Sequence, residues 1–183
     1  MHPRHGASVR LTRPILTPRL RLEPVTPALA SAAREGPSAF AERIGAEAPD
    51  DWCAGSLRLV ARSGGPGWGP TTTTRVVAIH RRDGAIIGDV RFEPPMQQFR
   101  HLGDVEIGYA VAASRRRQGY AAEAAGAVIE WLGAEAGAGT ILAGCDKDNR
   151  ASVRTLMRLG FLLDSTPGRV FWWVLPVASA TNA

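Results

Sequence analysis

Residues 104–124 read Asp104-Val-Glu-Ile-Gly-Tyr-Ala-Val-Ala-Ala-Ser-Arg-Arg-Arg-Gln-Gly-Tyr-Ala-Ala-Glu-Ala124, and this stretch decides the fold. Val105, Ile107, Tyr109 and Val111 alternate with Glu106, Gly108 and Ala110, the period-2 pattern of a strand. Arg115 to Gly119 break the alternation, and from Ala121 onward the apolar spacing is helical. A strand, a basic glycine turn and a helix start therefore follow one another directly. The first backbone N–H groups of a helix have no intrahelical partner, and the helix dipole adds positive potential there. With Arg115, Arg116 and Arg117 beside them, these groups form an anion site. Gly119 lacks the side chain that would hold a phosphate off the backbone, and Ala121 is small for the same purpose.

Composition narrows the class. The chain has 183 residues, 45% of them apolar, enough for one globular domain with its own core. No apolar run is long enough to span a membrane, and no signal-peptide core opens the chain, so no membrane partner is expected. Cys53 and Cys145 lack metal-ligand spacing, and His2, His5, His80 and His101 are scattered. No metal site is expected, and free thiols point to a reducing, cytoplasmic setting. The net charge of +5 is spread along the chain, and Lys147 is the single lysine. That pattern argues against a nucleic-acid partner, which would call for a massed basic face.

Outward from the motif, Arg19–Pro24 alternates as a first strand. The segment from 28 to 48 is helix-prone, with a break at Gly36-Pro37. Asp50 or Asp51 is placed to cap a further helix from Trp52 to Arg62, and 63–70 is a glycine-rich loop carrying Trp68. Residues 75–80 and 85–92 read as strands joined at Asp83-Gly84, a hairpin signal. After the motif helix, Thr140–Cys145 is a short buried strand. Asn149 caps a last helix with Val153, Leu156 and Met157 inward and Gly160 as its stop. Residues 161–163 and 170–175 close as a hairpin around Thr166-Pro-Gly168. The domain expected is 15–176, with loose tails at 1–14 and 177–183. Its class is α/β, with a mixed, mostly antiparallel central sheet flanked by helices.

The strand, the Arg116-x-x-Gly119-x-Ala121 turn, the alanine-rich helix, the Asn149-x-x-Ser152 helix and Leu159-Gly160-Phe161 together resemble the GCN5-related N-acetyltransferase (GNAT) superfamily. Within it the chain is most similar to the branch of the ribosomal-protein N-terminal acetyltransferases, through Glu106 to Tyr109 and Gly119 to Ala124. The resemblance covers about 18–176. It implies a single-domain GNAT-like fold whose two central strands splay into a V at Tyr109–Val111 and Ile141–Cys145. It also implies acetyl-CoA as co-substrate and a primary amine, a peptide N-terminus or a small molecule, as acceptor. A homodimer is compatible with it.

The resemblance assigns roles residue by residue. Arg116, Arg117, Gln118, Gly119, Tyr120 and Ala121 would hold the CoA pyrophosphate, mainly by backbone N–H groups. Arg115 and Arg117 would reach the adenosine phosphates or face water. Tyr109, Ala110 and Val111 would pair by main chain with the pantetheine arm like an added strand, one N–H polarising the thioester carbonyl. Transfer needs a neutral amine, and Glu106 is the candidate base; its alternative is an ion pair with an arginine. Many relatives carry a tyrosine seven residues past the Asn149 position to protonate the thiolate. Leu156 stands there, so Ser152 is the candidate acid, or an ordinary first-turn residue. Asn149 contacts the CoA arm, caps its helix, or does both. Trp52, Trp68, Trp172 and Trp173 wall an acceptor pocket or fill the core. The competing classes are a CoA-binding sensor domain without catalysis and a nucleic-acid-binding module.

Overall fold

The computed structural model describes residues 11–63, 73–99 and 104–177. Eight strands form one sheet in the order β1-β2-β3-β4-β5-β6-β8-β7. They are β1 (Ile15–Leu16), β2 (Leu20–Pro24), β3 (Thr74–His80), β4 (Ile86–Glu93), β5 (Val105–Val111), β6 (Thr140–Asp146), β7 (Leu162–Ser165) and β8 (Val170–Pro176). Every neighbouring pair is antiparallel except β5 and β6, which run parallel. The helices are α1 (Pro27–Glu35), α2 (Pro37–Ile44), α3 (Asp50–Trp52), α4 (Arg58–Arg62), α5 (Tyr120–Ala134) and α6 (Arg150–Arg158). No helix among the described residues is long and apolar enough to cross a membrane.

Alternation in the strands sorts the core into two layers. Ile107, Ile141, Ala143 and Trp173 pack with Val128 and Leu132 of α5 and Leu156 of α6 on one face. Val77, Ile79 and Ile86 pack with Leu29, Phe40, Trp52 and Val60 of the first four helices on the other. The β3–β4 hairpin turns at Gly84, whose φ of +69° suits glycine.

Several elements depart from the expected pattern. The strand at Arg19 starts at Leu20, and β1 precedes it. Leu11, inside the expected 1–14 tail, is buried at 8% exposure, so the chain is anchored before β1. The expected Trp52–Arg62 helix is divided: a π-helical turn at Cys53–Leu57 separates α3 from α4. Neither Asp50 nor Asp51 caps it; Pro49 holds that position, and Asp51 reaches elsewhere. Met157 is 62% exposed because the inward direction of α6 is set by Leu156, and one residue further is a rotation of about 100°. The 63–70 loop beyond Ser63 and Trp68 lie outside the described residues.

Candidate active site

The β5–β6 pair is joined at only two positions, Val105 with Ile141 and Glu106 with Leu142. Beyond them the strands part, although each keeps its outer neighbour: β5 stays on β4 to Val111, and β6 stays on β8 to Asp146. The V therefore opens one residue past Glu106. Ile141 and Leu142, expected to border it, belong to its closed end, and Ala143–Cys145 form that wall.

Which backbone groups face the opening follows from the ladder. The N–H of Ala112 donates to the carbonyl of Ile87 at 2.9 Å. Strand residues turn their N–H and C=O alternately to the two sides, so Ala110 also faces β4, while Tyr109 and Val111 face the opening. Ala110, expected to pair with a ligand by main chain, has its backbone committed to the sheet. Val111 shares its carbonyl with Arg116 Nε at 3.1 Å.

At the open end the chain makes a short 3-10 turn at Ala113–Arg115 and enters α5 through Gly119. Arg117 at φ +64° and Gly119 at φ +81° both lie in the left-handed region. A non-glycine residue there is uncommon, and a backbone so curved turns successive N–H groups inward as an anion nest. The Arg116 N–H is used by Ala113 O. From Arg117 through Ala122, no backbone N–H has a partner among the described residues. A cleft of about 530 Å³ lies over this nest, bordered by Arg19, Arg117, Gly119, Ala122 and Arg158. A Cβ built on Gly119 would meet only Arg19 Nη2, at 3.6 Å, so the approach to the N–H groups is open. These features fit a pyrophosphate.

Acidic side chains hold the segments around the nest, and one of them, Glu123, also lines the cleft. Glu123 in the first turn of α5 accepts from Thr17 Oγ1 at 2.6 Å and Arg19 N at 2.9 Å, and pairs with Arg19 Nε at 2.6 Å. Partial burial raises its carboxyl, but these donors outweigh it and leave the pKa below the usual range. Arg19 also donates to Gln118 O at 3.0 Å and lies 4.4 Å above the ring of Tyr120. Asp51 accepts from Ser114 N at 2.7 Å, a bond that lowers its pKa. Asp83 holds Arg115 Nη1 at 2.9 Å, Ala85 N at 3.1 Å and His80 Nδ1 at 3.0 Å. Slight burial raises Asp83, and the three donors bring it down to about 2. Arg115 is thus tied to the hairpin turn rather than presented to a phosphate. Tyr120 is 6% exposed, which leaves its backbone as its contribution to the nest.

The remaining expected residues fall on two faces of the sheet. Tyr109 points to the α5–α6 side, and its hydroxyl donates to Ser152 O at 3.3 Å. Burial raises the phenol and outweighs its hydrogen bonds at α6, so it stays protonated near neutral pH. Asn149 Oδ1 accepts from Ser152 N at 3.1 Å and so caps α6. Leu156, where many relatives carry tyrosine, is buried at 1% exposure. Cys145 also lies in this layer, and burial pushes its thiol up.

Glu106 lies on the opposite face, beside Arg91, Glu93, Arg75 and Asp89, at 8% exposure. Arg91 Nη2 donates to Glu106 Oε1 at 3.2 Å, while Arg91 Nη1 pairs with Glu93 Oε1. The arginine alternative for Glu106 is therefore realised on one oxygen. Arg75 pairs with Asp89, which also accepts from Trp52 Nε1 at 3.2 Å. Trp172 lies on this face too, its ring centroid 4.2 Å from that of Phe99 with the two planes tilted by 36°. Glu106 and Ser152 are thus not brought together: the opening between β5 and β6 is what lies between their faces. No metal-binding cluster of His, Cys, Asp or Glu occurs among the described residues.

Arg19, Arg158 and Arg91 were not singled out by the sequence. Arg19 and Arg158 lie about a hundred and about forty residues from Gly119, and no local spacing marks them.

The sequence profile described as an acetyltransferase (GNAT) domain matches residues 19–162. An uncharacterized N-acetyltransferase of Bacillus subtilis, YjdG, is 39% identical over 72 residues, which are 39% of this chain and 43% of that protein. The chain thus matches less than half the length of that relative. The crystal structure of an acetyltransferase from Agrobacterium tumefaciens superposes with a TM-score of 0.62 at 22% identity, covering 94% of this chain and 98% of the other. A ribosomal L7/L12 alpha-N-protein acetyltransferase, in complex with coenzyme A, gives 0.55 at 16% identity, covering 90% and 98%. These two likenesses establish the shared fold.

Proposed function

The chain belongs to the GNAT acetyltransferase family, and we propose that it transfers an acetyl group from acetyl-CoA to a primary amine, a peptide N-terminus or a small molecule, by direct attack. The observation that carries the reading is the opening between β5 and β6. It connects an unpartnered N–H nest at one end with a carboxylate on one face and a phenol on the other. The thioester supplies an activated acyl carbon and a leaving thiol.

This chain's residues do the rest. Arg117 to Ala122 bind the pyrophosphate through backbone N–H groups, with Arg117 and Arg158 adding charge. The main chain of Tyr109 and Val111 aligns the pantetheine arm, and one of those N–H groups hydrogen-bonds the thioester oxygen as it gains charge. Glu106 takes the proton of the incoming amine, directly or through water. The ion-paired groups around it on β3, β4 and β5 are three carboxylates, Asp89, Glu93 and Glu106, and two guanidiniums, Arg75 and Arg91. The surplus negative charge favours an ammonium arriving there. Ser152, in the first turn of α6, is the residue proposed to return a proton to the thiolate. CoA thiol has a pKa close to that of cysteine, about 8.5, so the leaving group asks for little help.

The test is release of free CoA from acetyl-CoA over a panel of peptide N-termini and small primary amines. Turnover with at least one amine is the expected result. CoA binding with no turnover on any amine would leave a sensor domain instead.

A further inference from the structure

We infer that Arg91 is a positioning residue for Glu106, laid across the backbone of β5 at the one place where a glycine allows it. The inference rests on the reading of Glu106 as the base.

Glu93 and Glu106 are direct partners across the β4–β5 ladder, as are Arg91 and Gly108 one step further along. All four positions share a face, because strand side chains alternate. Two carboxylates in directly opposed positions repel. Arg91 resolves the conflict by giving Nη1 to Glu93 and Nη2 to Glu106. Glu93 is fixed from its other side by Thr73, which donates to Oε2. The guanidinium therefore spans a held carboxylate and a working one.

Gly108 makes the arrangement possible. A Cβ there would lie 2.7 Å from Arg91 Nε, 3.0 Å from Cζ and 3.1 Å from Nη2. The flat guanidinium occupies the space in which any other residue would place its side chain. Gly108 has no positive φ, so backbone conformation does not demand a glycine at this position. The demand comes from the arginine.

Fixing Glu106 Oε1 orients the carboxylate. Oε2 has no partner among the described residues and is the oxygen left for the amine. An unheld glutamate side chain would sample several rotamers, and productive geometry would be a fraction of its time. Arg75, on the neighbouring strand β3, is engaged by Asp89 and does not substitute.

The experiment is a mutant cycle read by steady-state CoA release on the full chain. Arg91→Met should lower kcat about tenfold, with the KM for acetyl-CoA unchanged. The same change made in Glu106→Gln should cause no further loss, since the group it positions is already gone. Arg91→Lys should recover part of the rate, because an ammonium reaches one carboxylate but not both in one plane. Gly108→Ala keeps every charge and displaces only the flexible end of Arg91, so it should reproduce the loss in a folded protein. Equal losses from Arg91→Met in both backgrounds would mean a merely structural role and overturn the inference, as would full activity of Gly108→Ala. Full activity of Glu106→Gln would overturn the base reading and this inference with it. An impaired Glu106→Gln beside an unimpaired Arg91→Met would sink the inference alone.

Discussion

Gly119→Asp tests the anion nest at its centre. Gly119 sits at φ +81° as the residue entering α5, and on both sides of it lie N–H groups without a partner among the described residues. Space is not the obstacle, since a Cβ would meet only Arg19 Nη2 at 3.6 Å. Two effects remain. A left-handed backbone costs an ordinary L residue about 1–2 kcal/mol, a cost to folding. The carboxylate adds a negative charge where the pyrophosphate would sit. At about 6 Å the repulsion is about 0.7 kcal/mol in bulk water and about 2.8 kcal/mol at the dielectric typical of protein surfaces. An intermediate value of about 1.4 kcal/mol is a tenfold loss of CoA affinity. Arg19 does not cancel the charge, because Glu123 and Gln118 O already hold it. Gly119→Asn is the control: it tolerates the left-handed region and matches Asp in shape without the charge. Calorimetric titration with CoA should show the Asp variant at least about tenfold weaker than the Asn variant, and the difference should shrink with added salt. Equal affinities in two folded variants would refute the nest as the pyrophosphate site.

Other perturbations address different links of the chain. Glu106→Gln retains an acceptor for Arg91 and should lower turnover on the order of 10²-fold with acetyl-CoA binding intact. The loss should shrink as pH rises toward the acceptor's own pKa; a constant factor across the pH–rate profile means that Glu106 is not the base. The double variant Cys53→Ser, Cys145→Ser should keep its activity, because both thiols are raised by burial and direct transfer needs no thiol nucleophile. Acetylation of either cysteine at one equivalent during turnover would point to a covalent route. Asp83→Asn should flatten the acid limb of stability. Asp83 is depressed from 3.8 to about 2, so its contribution is complete above pH 4 and is lost as pH falls through 2. For a carboxylate 41% exposed, that contribution is about 0.5–1 kcal/mol, and thermal melts at pH 6 and pH 2.5 on both proteins should resolve it.

The order of elements was legible in the sequence because each is specified locally. Alternation in Val105–Val111, the Asp83-Gly84 turn, the Gly36-Pro37 break and the Asn149 cap are all contained within a few residues of one another. The glycine turn before α5 was legible for the same reason, since strand, arginines and helix start are contiguous. Where two local signals competed, tertiary contact decided. Asp51 reads as a helix cap, yet its carboxylate goes to Ser114, 63 residues away. Arg115 reads either as a phosphate ligand or as a solvent-facing residue, and Asp83 of the neighbouring hairpin takes it instead.

The sequence by itself determined a strand that leads through a basic glycine turn into a helix, and a carboxylate on that strand's polar side. It could not determine which oxygen of Glu106 is held by Arg91, that Ala110 faces β4, or that the V opens one residue past Glu106. Those facts depend on register between strands and on partners far apart in the chain. Arg91 lies fifteen residues from Glu106, and only the β4–β5 ladder brings its guanidinium over Gly108. Backbone preference acts over a few residues, whereas an ion pair requires two strands to be packed in one register. The motif was therefore written in the sequence, and the working geometry of its carboxylate was set by the sheet.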